Sequence, residues 1–257
     1  MSISIFALLG AISIGLSLGL LGSGGSILTV PVLLYLFDQP ERLAIASSLA
    51  IVGMIAFVGA LPYIRKKQTD WRCVLYFGIP GMIGTYAGAY LSQFVAPTLQ
   101  LLTFAVVMLL ASFLMLSPKS KTASKDVPAR NSIKITFDGL LVGILTGFVG
   151  VGGGFLIVPA LVLLARLPMH HAVGTSLVII FLKSATGFYK YLDILAIENI
   201  TLDWQVIGLV TVLGVIGSLS GNFIGEKISQ AKLKKGFAYF LLPMALFIIW
   251  QNKAVFL

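Results

Sequence analysis

Two glycine-rich stretches could do chemistry. Gly22-Ser23-Gly24-Gly25-Ser26 recurs as Gly150-Val151-Gly152-Gly153-Gly154, 128 residues later, each copy between two apolar segments. The match runs without a gap from Pro31 over Pro159 and Pro40 over Pro168 to Ser47-Ser48 over Thr175-Ser176. Glycine interrupts a helix, and the helix that restarts exposes unpaired amides at the positive end of its dipole. Two such starts aimed at the membrane midplane would bind an anion through backbone alone. The hydroxyls of Ser23, Ser26, Ser47, Ser48, Thr175 and Ser176 could add donors. The competing reading is structural: the glycines permit tight turns, and the hydroxyls bond back to their own helix carbonyls.

Lys183 supplies a full charge. It lies twelve residues beyond His171, inside an apolar stretch. An ionisable side chain at that depth is a functional candidate by default. Ser176, seven residues before, and Gly187, four residues after, share its helix face. Ile55 stands at the equivalent position in the first copy. The alternative is a lysine reaching polar groups near the outer surface. His170 and His171 read as interfacial, and Asn222 as a helix–helix hydrogen bond.

The elements that must position these residues are membrane helices. The 257 residues are 58% hydrophobic and 11% charged, with mean hydropathy +1.01; soluble domains carry about 25% charged residues. Ten apolar segments are predicted: 3–21, 27–37, 43–63, 72–93 and 97–116, then 133–149, 155–166, 171–191, 204–224 and 236–251. The second of each five spans only about half of a hydrocarbon core. The expected fold is an all-α polytopic membrane protein with broken or re-entrant helices at the glycine motifs. Residues 1–116 form one repeat, 117–134 a basic cytoplasmic linker, and 135–257 the second repeat.

Past the breaks, Asp70-Trp71 matches Asp203-Trp204 at an offset of 133, so five residues are inserted in the second half. Gly81, Gly84 and Gly88 then match Gly214, Gly217 and Gly221, small residues that let helices approach closely. Trp71 and Trp204 read as interfacial anchors. Most Lys and Arg fall in loops 64–72, 117–134, 166–171 and 225–235, which reads those loops as cytoplasmic. Loop 64–72 is basic while its counterpart 191–203 is acidic, so the repeats are expected to be inverted, with both termini outside. The start, Met1-Ser-Ile-Ser-Ile, lacks a basic n-region and reads as mature protein.

Several functions are excluded by pattern. The net charge of +9 serves topology, not nucleic acid. One cysteine, Cys73, allows no internal disulfide and no cysteine metal cluster. A dinucleotide motif fails because Ile27 and Phe155 stand where its third glycine belongs. No catalytic set appears, so neither an enzyme, a cofactor nor a metal site is expected. The acidic residues are read in loops or at segment ends, which disfavours a buried proton relay.

Two copies of G-x-G-G-[GS]-x-[LI]-x-V-P, each followed by an [ST]-S-L helix start, resemble the sulfite exporter TauE/SafE family over essentially the whole chain. The resemblance implies a bacterial inner-membrane transporter of sulfite, sulfoacetate or related organosulfonates. It implies Gly22, Ser23, Gly24, Gly25, Ser26, Gly150, Gly152, Gly153 and Gly154 as motif positions. The expected partners are a small anionic substrate and the lipid bilayer, with H+ or Na+ as candidate coupling ion and a homodimer as candidate assembly. An anion channel and a non-transporting membrane assembly subunit are the rival readings.

Overall fold

The computed structural model describes residues 5–116, 132–149 and 154–251. Among them all regular secondary structure is helical. The helices are α1 (Ile5–Leu21), α2 (Gly24–Leu36), α3 (Glu41–Arg65), α4 (71–92), α5 (Pro97–Leu116), α6 (Ser132–Val149), α7 (Gly154–Leu163), α8 (Met169–Ile197), α9 (Trp204–Gly225) and α10 (Gln230–Gln251). Six of these, α3, α5, α6, α8, α9 and α10, are long and apolar enough to cross a membrane. The protein is thus a multi-pass membrane protein, and the ten predicted segments each fall on one helix. Residues 117–131 of the predicted linker lie outside the described residues.

Local chemistry sets the helix ends. Pro40 and Pro168, at matching positions, precede α3 and α8 with extended backbone. Asp70 accepts the Cys73 amide, and Asp203 accepts those of Gln205 and Val206. These N-caps satisfy amides that the helix start leaves unpaired. Trp71 and Trp204 open α4 and α9 and are both exposed, as interfacial anchors would be. Lys67 and Asn199 end α3 and α8 in left-handed backbone.

The second-half insertion divides between helix and loop. Lys67 and Asn199 are 132 apart, whereas Asp70 and Asp203 are 133 apart. Four of the five extra residues therefore lengthen α8, which has 29 residues against 25 in α3. The fifth lies in the following loop. Four residues are close to one turn, so α8 grows without rotating its faces. The predicted third segment ended at 191 because Asp193 and Glu198 mark a polar stretch. Instead, Lys190 pairs with Asp193 on the helix surface, and the helix continues to Ile197. Similarly α10 starts at Gln230, taking in Lys232 and Lys235, where a loop to 235 was expected.

α3 and α8 form the interior. The most apolar stretch of α3 is 78% buried and that of α8 61%, against 33% in α6 and 35% in α10. The two pack on each other, and Gly53 of α3 meets Ser184 of α8. Around them, α1 packs on α9, α6 on α4, and α5 on α10. Glycine makes these contacts close. A Cβ on Gly84 or Gly88 would strike the α6 backbone at Leu140 or Ile144, and one on Gly217 or Gly221 would strike α1 at Ile12 or Leu16. The outer faces carry apolar side chains such as Ile83, Phe94, Phe113 and Phe223, as lipid contact requires.

Candidate anion site at the helix breaks

The first break is a tight reversal. Gly22 has φ +73°, a left-handed conformation that glycine adopts without a Cβ penalty. Its amide bonds to the Leu18 carbonyl at 2.7 Å, and α2 restarts at Gly24. The two helices then run antiparallel: Gly25 abuts Ile14 and Leu18, and Gly10 abuts Val32 and Leu36. Small residues at 24 and 25 let α2 lie directly on α1.

α8 receives this turn. A Cβ on Gly22 would fall 2.8 Å from Ser176 Oγ and from Val173 Cα. Ser176 donates its hydroxyl to the Gly22 carbonyl at 2.9 Å, shared with the Val173 carbonyl at 2.8 Å. Thr175 Oγ1 accepts the Asp70 amide at 2.8 Å. Ser48 donates to the Ile45 carbonyl and Ser26 to the Ser23 carbonyl, both at 2.7 Å. Of the six hydroxyls singled out, these four are engaged in the fold. Ser23 and Ser47 are fully buried and have no hydrogen-bond partner among the described residues. A buried polar group left unpaired is costly, so these two are the hydroxyls available to a ligand.

The first break is off centre. Val173 and Ser176 lie only four and seven residues from the start of α8 at Met169, hence about 6–10 Å in. The antiparallel α1–α2 pair carries its turn past the middle of α8, toward that helix's start. The expectation that both restarting helices aim at one central point is corrected for α2 by this geometry.

The two restarting helices nevertheless touch. A Cβ on Gly154 would lie 2.7 Å from Ser26 Oγ and 3.2 Å from Ser26 Cβ. Gly150, Gly152 and Gly153 lie outside the described residues; Gly154 is buried.

Lys183 occupies the middle of α8, fourteen residues from both Met169 and Ile197. That is about 21 Å from either end, deeper than the off-centre position expected from the shorter segment. It is fully buried, and its Nζ has no hydrogen-bond partner among the described residues. Nζ stands 4.9 Å from the centroid of the Phe77 ring. Gly81 makes room for it: a Cβ there would strike Cε and come within 2.7 Å of Nζ. Phe77 belongs to a π-helical turn, Val74–Gly78, within α4. Such wide turns recur at functional sites. Sequence reading passed over Phe77, because an aromatic residue in an apolar segment gives no distinguishing signal.

Other expectations are placed as follows. Asn222 Nδ2 donates to the Gly59 carbonyl at 3.0 Å, the helix–helix bond expected of it. His170 and His171 are half-buried in the first turn of α8. Asp138 and Asp193 lie within α6 and α8, not in loops, because each helix runs through the charged position. Ser23, Ser26, Ser47, Ser48, Thr175, Ser176 and Lys183 are each 0% exposed.

The chain matches the family described as Sulfite exporter TauE/SafE over residues 7–248. A Xylella fastidiosa protein named "Probable membrane transporter protein" is 30% identical over 248 residues, covering 94% of this chain and 93% of that one. Bacillus subtilis YunE, also named a probable membrane transporter protein, is 31% identical over 262 residues, covering 91% and 90%. A Haemophilus influenzae protein of the same description is 26% identical over 93% of this chain and 95% of its own length. No solved structure matches significantly.

Proposed function

We propose a mechanism from one premise: the chain belongs to the sulfite exporter TauE/SafE family, and so is a membrane transporter rather than an enzyme. Our reading is an alternating-access carrier of small sulfur-containing anions: sulfite, sulfoacetate or a related organosulfonate. It resides in the bacterial inner membrane with both termini outside.

One observation carries the reading: Lys183 is a fully buried ionisable side chain at the centre of the bundle, and its Nζ has no hydrogen-bond partner among the described residues. Charging a buried amine without a partner is expensive, and an arriving anion would offset that cost. Ser23 and Ser47 offer unpaired hydroxyls and the helix restarts offer amides; the first break lies about 10 Å along α8 from Lys183, so these groups would serve the anion's path rather than share one site with the lysine.

The inverted-repeat reading is supported by reciprocal contacts. The first helix of each half packs on the fourth of the other, and the third, fifth and second helices pack on their own counterparts. Ser26 and Gly154, equivalent at the offset of 128, meet each other. Rocking two such halves against each other, parting that contact, would open the buried site to either face in turn. Export of an anion from a negative interior gains about 2.3 kcal/mol per charge per 100 mV, so it can run without a coupling ion.

Counterflow of labelled sulfite and sulfoacetate in proteoliposomes tests this. Lys183→Ala is expected to abolish uptake of label while the protein remains folded in detergent. Unchanged counterflow in that variant would remove the site. Single-channel currents would replace the carrier with a channel.

A further inference from the structure

The fifth helix of each half and the first two of the other enclose a groove, and the two copies of that groove differ. α5 and α10 start at Pro97 and Gln230, 133 apart, so Lys232, Gly236 and Phe240 correspond to Leu99, Thr103 and Val107. Between α5, α6 and α7 the groove holds about 190 Å³ and is lined by Val107, Leu145, Leu156 and further aliphatic residues. Between α10, α1 and α2 it holds about 590 Å³, with Phe240, Ser17 and Leu28 at the matching positions.

Two positions set the wider groove apart. Gly236 leaves open space where Thr103 carries a side chain: nothing lies within 4 Å of a Cβ built there. One turn earlier, on the same helix face, Lys232 is the charged residue of the lining, and it is exposed. A Cβ on Gly225 would lie 3.4 Å from the Leu20 carbonyl, and α10 begins five residues after Gly225. The end of α1 and the start of α10 therefore share one end of the groove. From Leu21 to Ser13 and from Lys232 to Phe240 the groove spans eight residues of each helix, about 12 Å. It opens outward, with Leu16 and Gly236 exposed, so a chain can enter from the side.

We propose that this groove binds one anionic phospholipid, with its phosphate at Lys232 and an acyl chain along Gly236 toward Phe240. The lining is apolar apart from Lys232, Ser13 and Ser17, and the Ser17 hydroxyl is engaged by the Ile14 carbonyl, which suits hydrocarbon. A free oxyanion would find one exposed lysine and no buried donor. A zwitterionic lipid would bring a second cation beside that lysine. On the orientation proposed above, Lys232 meets the cytoplasmic leaflet, where anionic lipids concentrate. The site lies beyond the carrier reading and does not rest on it. Leu21 and Leu28 line the groove and flank the first break at 22–26, so the lipid braces the α1–α2 turn against α10.

The test is native mass spectrometry of the full chain in detergent micelles, titrated with phosphatidylglycerol or phosphatidylcholine. One phosphatidylglycerol per chain is expected, held about fivefold more tightly than phosphatidylcholine, the preference that one lysine near an anionic surface gives. Lys232→Gln is expected to erase that preference. Lys134→Gln, at an exposed lysine in the first turn of α6, is expected to keep it. Gly236→Leu puts carbon into the open space and is expected to lose retained lipid of both kinds. An excess of inorganic phosphate is expected to leave the lipid in place.

Equal affinity of the native protein for the two lipids, or equal loss in Lys232→Gln and Lys134→Gln, would overturn the site. Unchanged retention in Gly236→Leu would also overturn it, by placing the lipid elsewhere on the surface. Displacement by inorganic phosphate would make Lys232 an ion site instead. A native dimer that dissociates in Gly236→Leu would give the groove to a second copy of the chain. Should Gly236→Leu not fold, Gly236→Val and the headgroup preference of Lys232→Gln decide the matter. These readouts are separate from transport: loss of counterflow in Lys183→Ala leaves the lipid site standing, and loss of the lipid site leaves the carrier reading standing.

Discussion

Ser26 and Gly154 occupy the same position in the two halves and lie against one another, with a Cβ at 154 placed 3.2 Å from Ser26 Cβ. That is close to the separation of about 3.5–4.5 Å found in disulfides. In a Cys73→Ser background, Ser26→Cys/Gly154→Cys is expected to form an intramolecular crosslink on mild oxidation. The measurement is loss of two thiols by mass spectrometry after alkylation. Counterflow should stop on oxidation and return with reductant. Two freely alkylated thiols under oxidising conditions would mean that the breaks do not meet.

Gly22→Ala meets two penalties. A left-handed conformation costs a non-glycine residue about 1–2 kcal/mol, and the new Cβ would lie 2.8 Å from Ser176 Oγ and Val173 Cα. Together these should lower stability by roughly 2–5 kcal/mol. Ser176→Ala removes the hydroxyl shared between the Gly22 and Val173 carbonyls, and interhelical bonds in membranes are worth about 0.6 kcal/mol, up to about 1.7. Denaturant titration in mixed micelles should rank Gly22→Ala as the more harmful. Equal losses would place the strain elsewhere.

Opposite ends of α3 tie the halves together unequally. At its start, Arg42 pairs with Glu198 at 3.4 Å and donates to the Ser92 and Val95 carbonyls at 3.3 Å. At its end, Lys66 pairs with Glu226. The Arg42 side chain is 11% exposed and that of Lys66 48%. A solvated pair contributes about 0–1 kcal/mol, whereas removing the more buried Arg42 leaves Glu198 unpaired and takes one of two donors from the Ser92 and Val95 carbonyls, which keep Gln100 Nε2. Arg42→Gln is expected to raise thiol-reagent labelling of Ser47→Cys, in the Cys73→Ser background, more than Lys66→Gln does. The reverse order would show the Lys66 end to be the tighter closure.

Close helix approach makes the α4–α6 seam intolerant of bulk. Gly84 and Gly88 face the backbone of Leu140 and Ile144, where no side chain can move aside. Gly84→Leu should abolish folded, monodisperse protein by size-exclusion chromatography. Gly208, with nothing within 4 Å of a built Cβ, should tolerate Gly208→Ala with little change. A well-folded Gly84→Leu protein would contradict the packing.

Much of this was legible from the residues. Duplicated glycine breaks, matching prolines and Asp-Trp helix starts located the ten helices, since each rests on local backbone chemistry. The extra turn of α8 was not, because its charged residues pair with each other on the helix surface. Nor could the depth of Gly22 be read, as it depends on how far α1 and α2 overrun the centre of α8. Ser47 and Ser48 look alike in sequence, yet Ser48 donates to Ile45 while Ser47 has no described partner. Only the rotation of α3 against its neighbours separates them.

The π-helical turn at Val74–Gly78 belongs to α4, while α9 runs as an unbroken α-helix through the equivalent residues. A widened turn is a joint at which a rod can flex, and only one of the two matching rods has one. On the carrier reading proposed above, motion that begins there would move the floor under Lys183 and not the Ile55 side. The protein's inward-open and outward-open shapes would then not be mirror images, and the release step would differ in kind from the loading step.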